Sequence, residues 1–215
     1  MKKIFVSIFS MWCGITAFGQ SFGDSPWVFE AGFNAVNVYS IGGDAPQGPF
    51  FDEFFNVNDH WNIGLPTLKV ARYINEDVFL SARASFNKLN KWGEFTGDSR
   101  VEVDGLTYLG FDAMINTDIN NLFKSENAEP FVGAGLGYTW IQEGTYNMLS
   151  GANGTDNLVG AATINLTGGL KYWFSETIGV SWETTYKHSF EDYLTKHWQH
   201  SLGIIFRIQD CSCTL

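Results

Sequence analysis

A two-residue rhythm constrains this chain more than any other feature. Successive side chains of a strand point to opposite faces, so apolar residues at every second position mark a half-buried strand. Eight segments have this rhythm. In the first, from Trp27 to about Tyr39, Trp27, Phe29, Ala31, Phe33 and Ala35 share one face, and Glu30, Gly32 and Asn34 the other. The second, about Leu65 to Ile74, sets Leu68 and Val70 against Lys69 and Ala71. The third opposes Val78, Leu80, Ala82, Ala84 and Phe86 to Ser81, Arg83, Ser85 and Asn87. The fourth, near Val103 to Asn116, opposes Leu109, Phe111, Ala113 and Ile115 to Tyr108, Gly110 and Asp112. From Pro130, Val132, Ala134, Leu136, Tyr138 and Trp140 alternate with Gly133, Gly135, Gly137 and Thr139. The sixth sets Ile164, Leu166, Leu170, Tyr172 and Phe174 against Asn165, Thr167, Lys171 and Trp173. The seventh sets Ile178, Val180, Trp182, Thr184 and Tyr186 against Ser181, Glu183, Thr185 and Lys187. The eighth sets Trp198, Leu202, Ile204 and Phe206 against Gln199, Ser201, Gly203 and Arg207. No segment keeps helical spacing over three turns.

Alternation serves a soluble sandwich as well as a membrane barrel, and three details separate the two. Asn75 to Asp77 and Ser175 to Thr177 are short connections, whereas Ser40 to His60, Asn90 to Glu102 and Gln142 to Asp156 are long and polar. Short turns at one end and long loops at the other characterise outer-membrane barrels. The connector from Thr117 to Glu129, with room for one helical turn at Asn120 to Lys124, departs from that rule. The minor face is polar: Glu30, Lys69, Arg83, Asp112, Lys171, Glu183 and Lys187 stand among Gly, Ser, Thr and Asn. Three acids nearly balance four bases there, and Gly133, Gly135 and Gly137 fall in a row. A solvated face has no use for strand-weakening glycines, but an eight-stranded lumen, barely wide enough for side chains, does. Aromatics also gather near strand ends: Trp27, Trp140, Tyr172, Phe174, Tyr186 and Trp198. Trp and Tyr favour the two membrane interfaces. Trp173 falls on the polar face, which leaves a one-residue slip in that strand open. The expected fold is all-β: an eight-stranded antiparallel up-and-down transmembrane β-barrel over residues 20–208, with a short tail over 209–215.

Composition agrees. Only 17% of the 215 residues are charged, against about a quarter in soluble domains. The formal charge of -10 lacks the basic footprint of nucleic-acid binding. Met1-Lys2-Lys3, an apolar stretch from Ile4 to Phe18, and Ala17-Phe18-Gly19 read as a signal peptide over residues 1–19, cut before Gln20. Its removal takes the charge to -12, carried by loops and ends: Asp44, Asp52, Glu53, Asp59, Asp98, Asp156, Glu191 and Asp192. Beyond it lie only Cys211 and Cys213, so no disulfide framework is expected.

The residues also resemble a family. Ala71-Arg72-Tyr73, Ser85-Phe86-Asn87-Lys88-Leu89, the run Pro130 to Trp140, Gly168 to Phe174, Thr185 to Phe190 and Gln199 to Phe206 resemble, in order and spacing, the N-terminal barrel of OmpA-like outer-membrane proteins in its Bacteroidetes-type version. The resemblance implies outer-membrane lipid as surroundings. Trp198, Leu202, Ile204 and Phe206 resemble the signal read by the barrel-assembly machinery, although nine residues follow Phe206. Many members continue into a peptidoglycan-binding domain. This chain stops at Leu215, so no such domain and no cell-wall anchoring are expected of it.

Chemistry is expected to be absent. His188-Ser189 and His200-Ser201 could suggest an activated nucleophile, but neighbours on a strand face opposite ways. HExxH, GxSxG, P-loop and CxxC patterns are missing. Asp44, Asp52 and Asp59 are too spread for a calcium loop, and no catalytic residue, metal or cofactor is assigned. The expected working residues are lumen charges: Glu30, Lys69, Arg83, Asp112, Lys171, Glu183 and Lys187 as an ion-pair network, in which Glu30, Arg83, Asp112, Lys171 and Glu183 plug the barrel. Eight strands exclude a wide porin. A structural or surface-interaction role is expected, with a narrow channel or ligand-binding barrel as the alternative and a lipid-modifying enzyme behind it. The Phe- and Gly-rich stretch Gly48 to Phe55 is either a partner contact or a cover for the barrel mouth.

Overall fold

A computed structural model describes residues 26–38, 54–95, 99–120, 125, 127–142, 157–191 and 196–208, excepting the side chains of 92–101. The expected signal peptide, the C-terminal tail, and most of the Gly48–Phe55 stretch lie outside the described residues, as do Asp44, Asp52, Glu53, Asp98, Asp156 and Asp192. So does most of the turn expected at Asn120 to Lys124.

Eight strands form one closed antiparallel barrel in chain order: β1 (Trp27–Asn37), β2 (Trp61–Tyr73), β3 (Val78–Phe95), β4 (Ser99–Asp118), β5 (Ala128–Gln142), β6 (Leu158–Trp173), β7 (Ile178–Ser189) and β8 (His197–Ile208). Closure comes from β1 against β8, paired from Trp27↔Ile208 to Asn37↔Trp198. A closed sheet satisfies every ladder hydrogen bond internally, which is the condition for a sheet to cross lipid. The shortest strand has 11 residues, enough for a tilted strand to span a bilayer.

Connections 74–77, 119–127 and 174–177 lie at one end of the barrel, here the turn end; 38–60, 96–98, 143–157 and 190–196 lie at the other, the loop end. The turn at 74–77 is closed by Asn75, whose side chain accepts from the backbone N–H of Asp77 and Val78. Ser175 accepts likewise from Thr177 and Ile178. One expectation fails at the loop end. Asn90 to Glu102 is not a long loop: β3 runs to Phe95 and β4 starts at Ser99. The segment is a hairpin with two register shifts, because pairing satisfies backbone groups that a loop would leave to water.

The faces follow the alternation. Phe29, Leu68, Leu80, Phe111, Ile115, Leu136, Leu166, Trp182 and Leu202 point outward and stay exposed, while Glu30, Lys69, Arg83, Asp112, Lys171, Glu183 and Lys187 are buried in the lumen. Trp173 needs no slip: it is buried in register, with the Arg207 guanidinium 3.9 Å from its ring. Ala35 is a correction. It keeps its outward parity but is buried, in a recess it shares with Trp61 and His200.

In β2 the parity itself changes. Asn62 and Gly64 face inward, and so do Thr67 and Lys69. Leu65 and Pro66 together stand opposite the single residue Phe33, a β-bulge. Proline is tolerated there because a bulge has no ladder bond for it to donate. Nearby, the Asn62 side chain accepts from the N–H of Asn90 and Lys91 and donates to the carbonyls of Val36 and Lys91, stitching three strands together.

Candidate functional site

The lumen is layered. At the turn end Val28, Ala71, Tyr73, Phe79, Phe131, Trp173 and Ile205 form an apolar cluster. At the loop end Val36, Val38, Leu89, Leu106, Tyr108, Ile141 and Ala161 form another. Neither was expected, because near strand ends both faces are apolar and alternation loses its contrast. The signal was present in pairs such as Val28-Phe29 and Ile204-Ile205.

Between them lies a charged layer. The Arg83 guanidinium donates from Nε and Nη2 to Asp112 Oδ2 at 3.0 and 2.8 Å, and from Nη1 to Glu183 Oε1 at 2.6 Å. Lys69 forms a short ion pair with Glu183 and stands 3.9 Å from Glu30. Lys187 lies 2.8 Å from the other oxygen of Asp112. Three acids thus meet three bases. An isolated buried charge costs several kcal/mol, so alternation of sign is what lets the layer exist. Gly137 makes room for it: a Cβ there would overlap the Asp112 carboxylate and lie 2.7 and 2.8 Å from Asn165 Nδ2 and Thr163 Oγ1. Asn165 donates to Asp112 Oδ1 at 2.7 Å.

Lys171 does not join this layer, which corrects the single network expected from sequence. It pairs with Asp118 at 2.9 Å and Glu129 at 3.2 Å near the turn end, and Arg207 holds Glu129 at 3.0 Å. The Tyr73 hydroxyl donates to Asp118 at 2.8 Å, and the Lys171 ammonium lies 4.2 Å from the Phe79 ring centre. The partners Asp118, Glu129 and Arg207 were missed. Asp118 and Glu129 fell in the expected connector, and Arg207, though on the polar face of the eighth segment, had no partner legible in the sequence.

On the outer wall the six interface aromatics occupy outward positions in two bands. Trp27 stacks on Phe29 at 6.4 Å, and Tyr172 meets Phe174 at 5.5 Å, at the turn end. Trp140 packs on Tyr138 at 4.4 Å, and Tyr186 on Trp198 at 5.2 Å, towards the loop end. Leu202, Ile204 and Phe206 face out and are about half exposed. Phe54 leans on the outer wall against Trp198 and His200, and Phe55 is exposed. The suspect His-Ser neighbours separate as strand geometry requires: Ser189 and Ser201 are buried in the lumen, while His188 bonds Tyr186 on the outside. Among the described residues no cluster of His, Cys, Asp and Glu could hold a metal.

No protein-family model matches the chain, and no curated protein matches it. Solved structures do. The N-terminal β-barrel domain of Pseudomonas aeruginosa OprF is similar at a TM-score of 0.51 and 14% identity, covering 86% of this chain and 97% of that one. The outer-membrane protein OprG from the same organism gives 0.52 and 11%, covering 88% and 98%. The chain therefore has the eight-stranded fold of outer-membrane β-barrels.

Proposed function

We propose that this protein is a non-enzymatic outer-membrane barrel of the OmpA-like, Bacteroidetes-type group, with a structural or surface-interaction role. In that reading residues 1–19 direct export, the C-terminal strand is read by the assembly machinery, and the loop end faces the exterior. The observation that carries it is the packing of the lumen, where a neutral ion-pair layer lies between two apolar clusters. The uncharged outer belt between two aromatic bands supports residence in lipid.

Planar-bilayer recording tests it. The wild type is expected to give no porin-sized conductance, and Arg83→Met to leak or to lose heat stability. A wide open state in the wild type would favour the channel alternative. If Arg83→Met and Lys171→Met both keep wild-type conductance and stability, the plug reading fails.

A further inference from the structure

Outside the lumen, one polar side chain is buried on a wall that faces lipid. His200 has outward parity on β8, between Leu202 and Trp198, yet is 3% exposed. Trp61 stacks on its ring at 4.0 Å and 13°, and Phe54 meets it edge-on at 5.1 Å. The Trp61 indole donates to the Phe54 carbonyl at 3.0 Å, which links the two covers. Thr184 Oγ1 on β7 lies 3.0 Å from His200 Nδ1, and Nε2 has no partner. The ring lines a recess of about 390 Å³ on the outer wall, whose other walls include Phe33, Val57, Ile63, Trp182 and Leu202. Val57 opens the short helix α1 (Val57–His60).

The chemistry of an occupant follows. With the Thr184 hydroxyl donating to His200 Nδ1, one of the two directions open to that contact, the ring proton sits on Nε2. That N–H is a donor in want of an acceptor, and leaving a buried donor unmet is unfavourable. Apart from Asn34 and Ser201, which belong to the lumen face, the remaining walls are apolar and belong to a surface in contact with hydrocarbon. The recess lies where lipid-facing Leu202 gives way to the Trp198–Tyr186 band, the depth at which acyl chains end in their carbonyls. We infer that this recess holds one acyl chain of an outer-membrane lipid, with its ester or amide carbonyl accepting from His200 Nε2 after a small outward shift of Trp61. The inference rests on the membrane reading above.

The protein is reconstituted in vesicles of a diester phospholipid and, separately, of its diether analogue, which lacks the carbonyls. Each preparation is then taken into a gentle detergent and weighed by native mass spectrometry. The wild type should retain one diester lipid about tenfold more than the diether, the effect of one hydrogen bond. His200→Phe, which keeps an aromatic ring under Trp61, should abolish the preference. Equal retention of both lipids by the wild type, or an undiminished preference in His200→Phe, would overturn the inference. The first comparison needs no variant to fold. Failure of the wild type to enter either vesicle would overturn the membrane reading itself, and with it this inference.

Discussion

The two ion-pair clusters of the lumen are both neutral, yet they are built to different standards. In the central layer Arg83, Asp112 and Lys187 have side chains 2%, 0% and 0% exposed. There each of Asp112 and Glu183 answers two bases. In the turn-end cluster Glu129 and Arg207 keep 17% and 21% of their side-chain surface, and Tyr73 adds a hydroxyl. Water reaches the Glu129–Arg207 pair at the turn end but not the Arg83–Asp112–Lys187 group in the centre. The same chemistry therefore sits dry in one place and within reach of water in the other.

Substitutions can break that contrast. The largest effect is expected from Arg83→Met, which strands two carboxylates in a dry layer. A loss of about 3–5 kcal/mol is expected, read by guanidinium unfolding of the folded barrel with tryptophan fluorescence. A loss below 1 kcal/mol would mean the central layer is as wet as the turn end. Gly137→Val comes next. Its side chain must displace Asp112 or Asn165, and overpacking of this kind costs about 1–3 kcal/mol; a band that migrates as unfolded at a lower temperature in gel-shift assays would register it. The smallest effect is expected from Arg207→Gln, within about 1 kcal/mol, as for partly exposed pairs. High salt should shrink that small difference by screening, while leaving the Arg83→Met difference nearly unchanged. Equal salt sensitivity in the two variants would erase the distinction between the clusters.

The sequence made the barrel legible because the rule is binary. Each residue on a strand has one of two sides, and Glu30, Arg83, Asp112 and Glu183 stand out on theirs. Two things escaped. The apolar lumen layers around Phe79, Phe131 and Leu89 were hidden because apolar residues on both faces carry no contrast. The choice of partners was hidden because it depends on stagger around the barrel. Lys171 and Asp112 share the inner side, but strand register sets Lys171 beside Asp118, a turn-end residue. The bulge at Leu65 and Pro66 hid Asn62 for a related reason: alternation was traceable only up to the point where its phase changed.

The pairing of β1 with β8 has a consequence for the chain as a string. Trp27 lies across from Ile208 at the turn end, and adjacent strands are about 4.8 Å apart. A few residues could join those two points, and the chain could be opened instead at 174–177, with every ladder partner unchanged. The wall is a ring with no first member. Where translation starts and stops along it is a matter of genetic order, and the assembled cylinder keeps no record of that choice beyond its one unlinked seam.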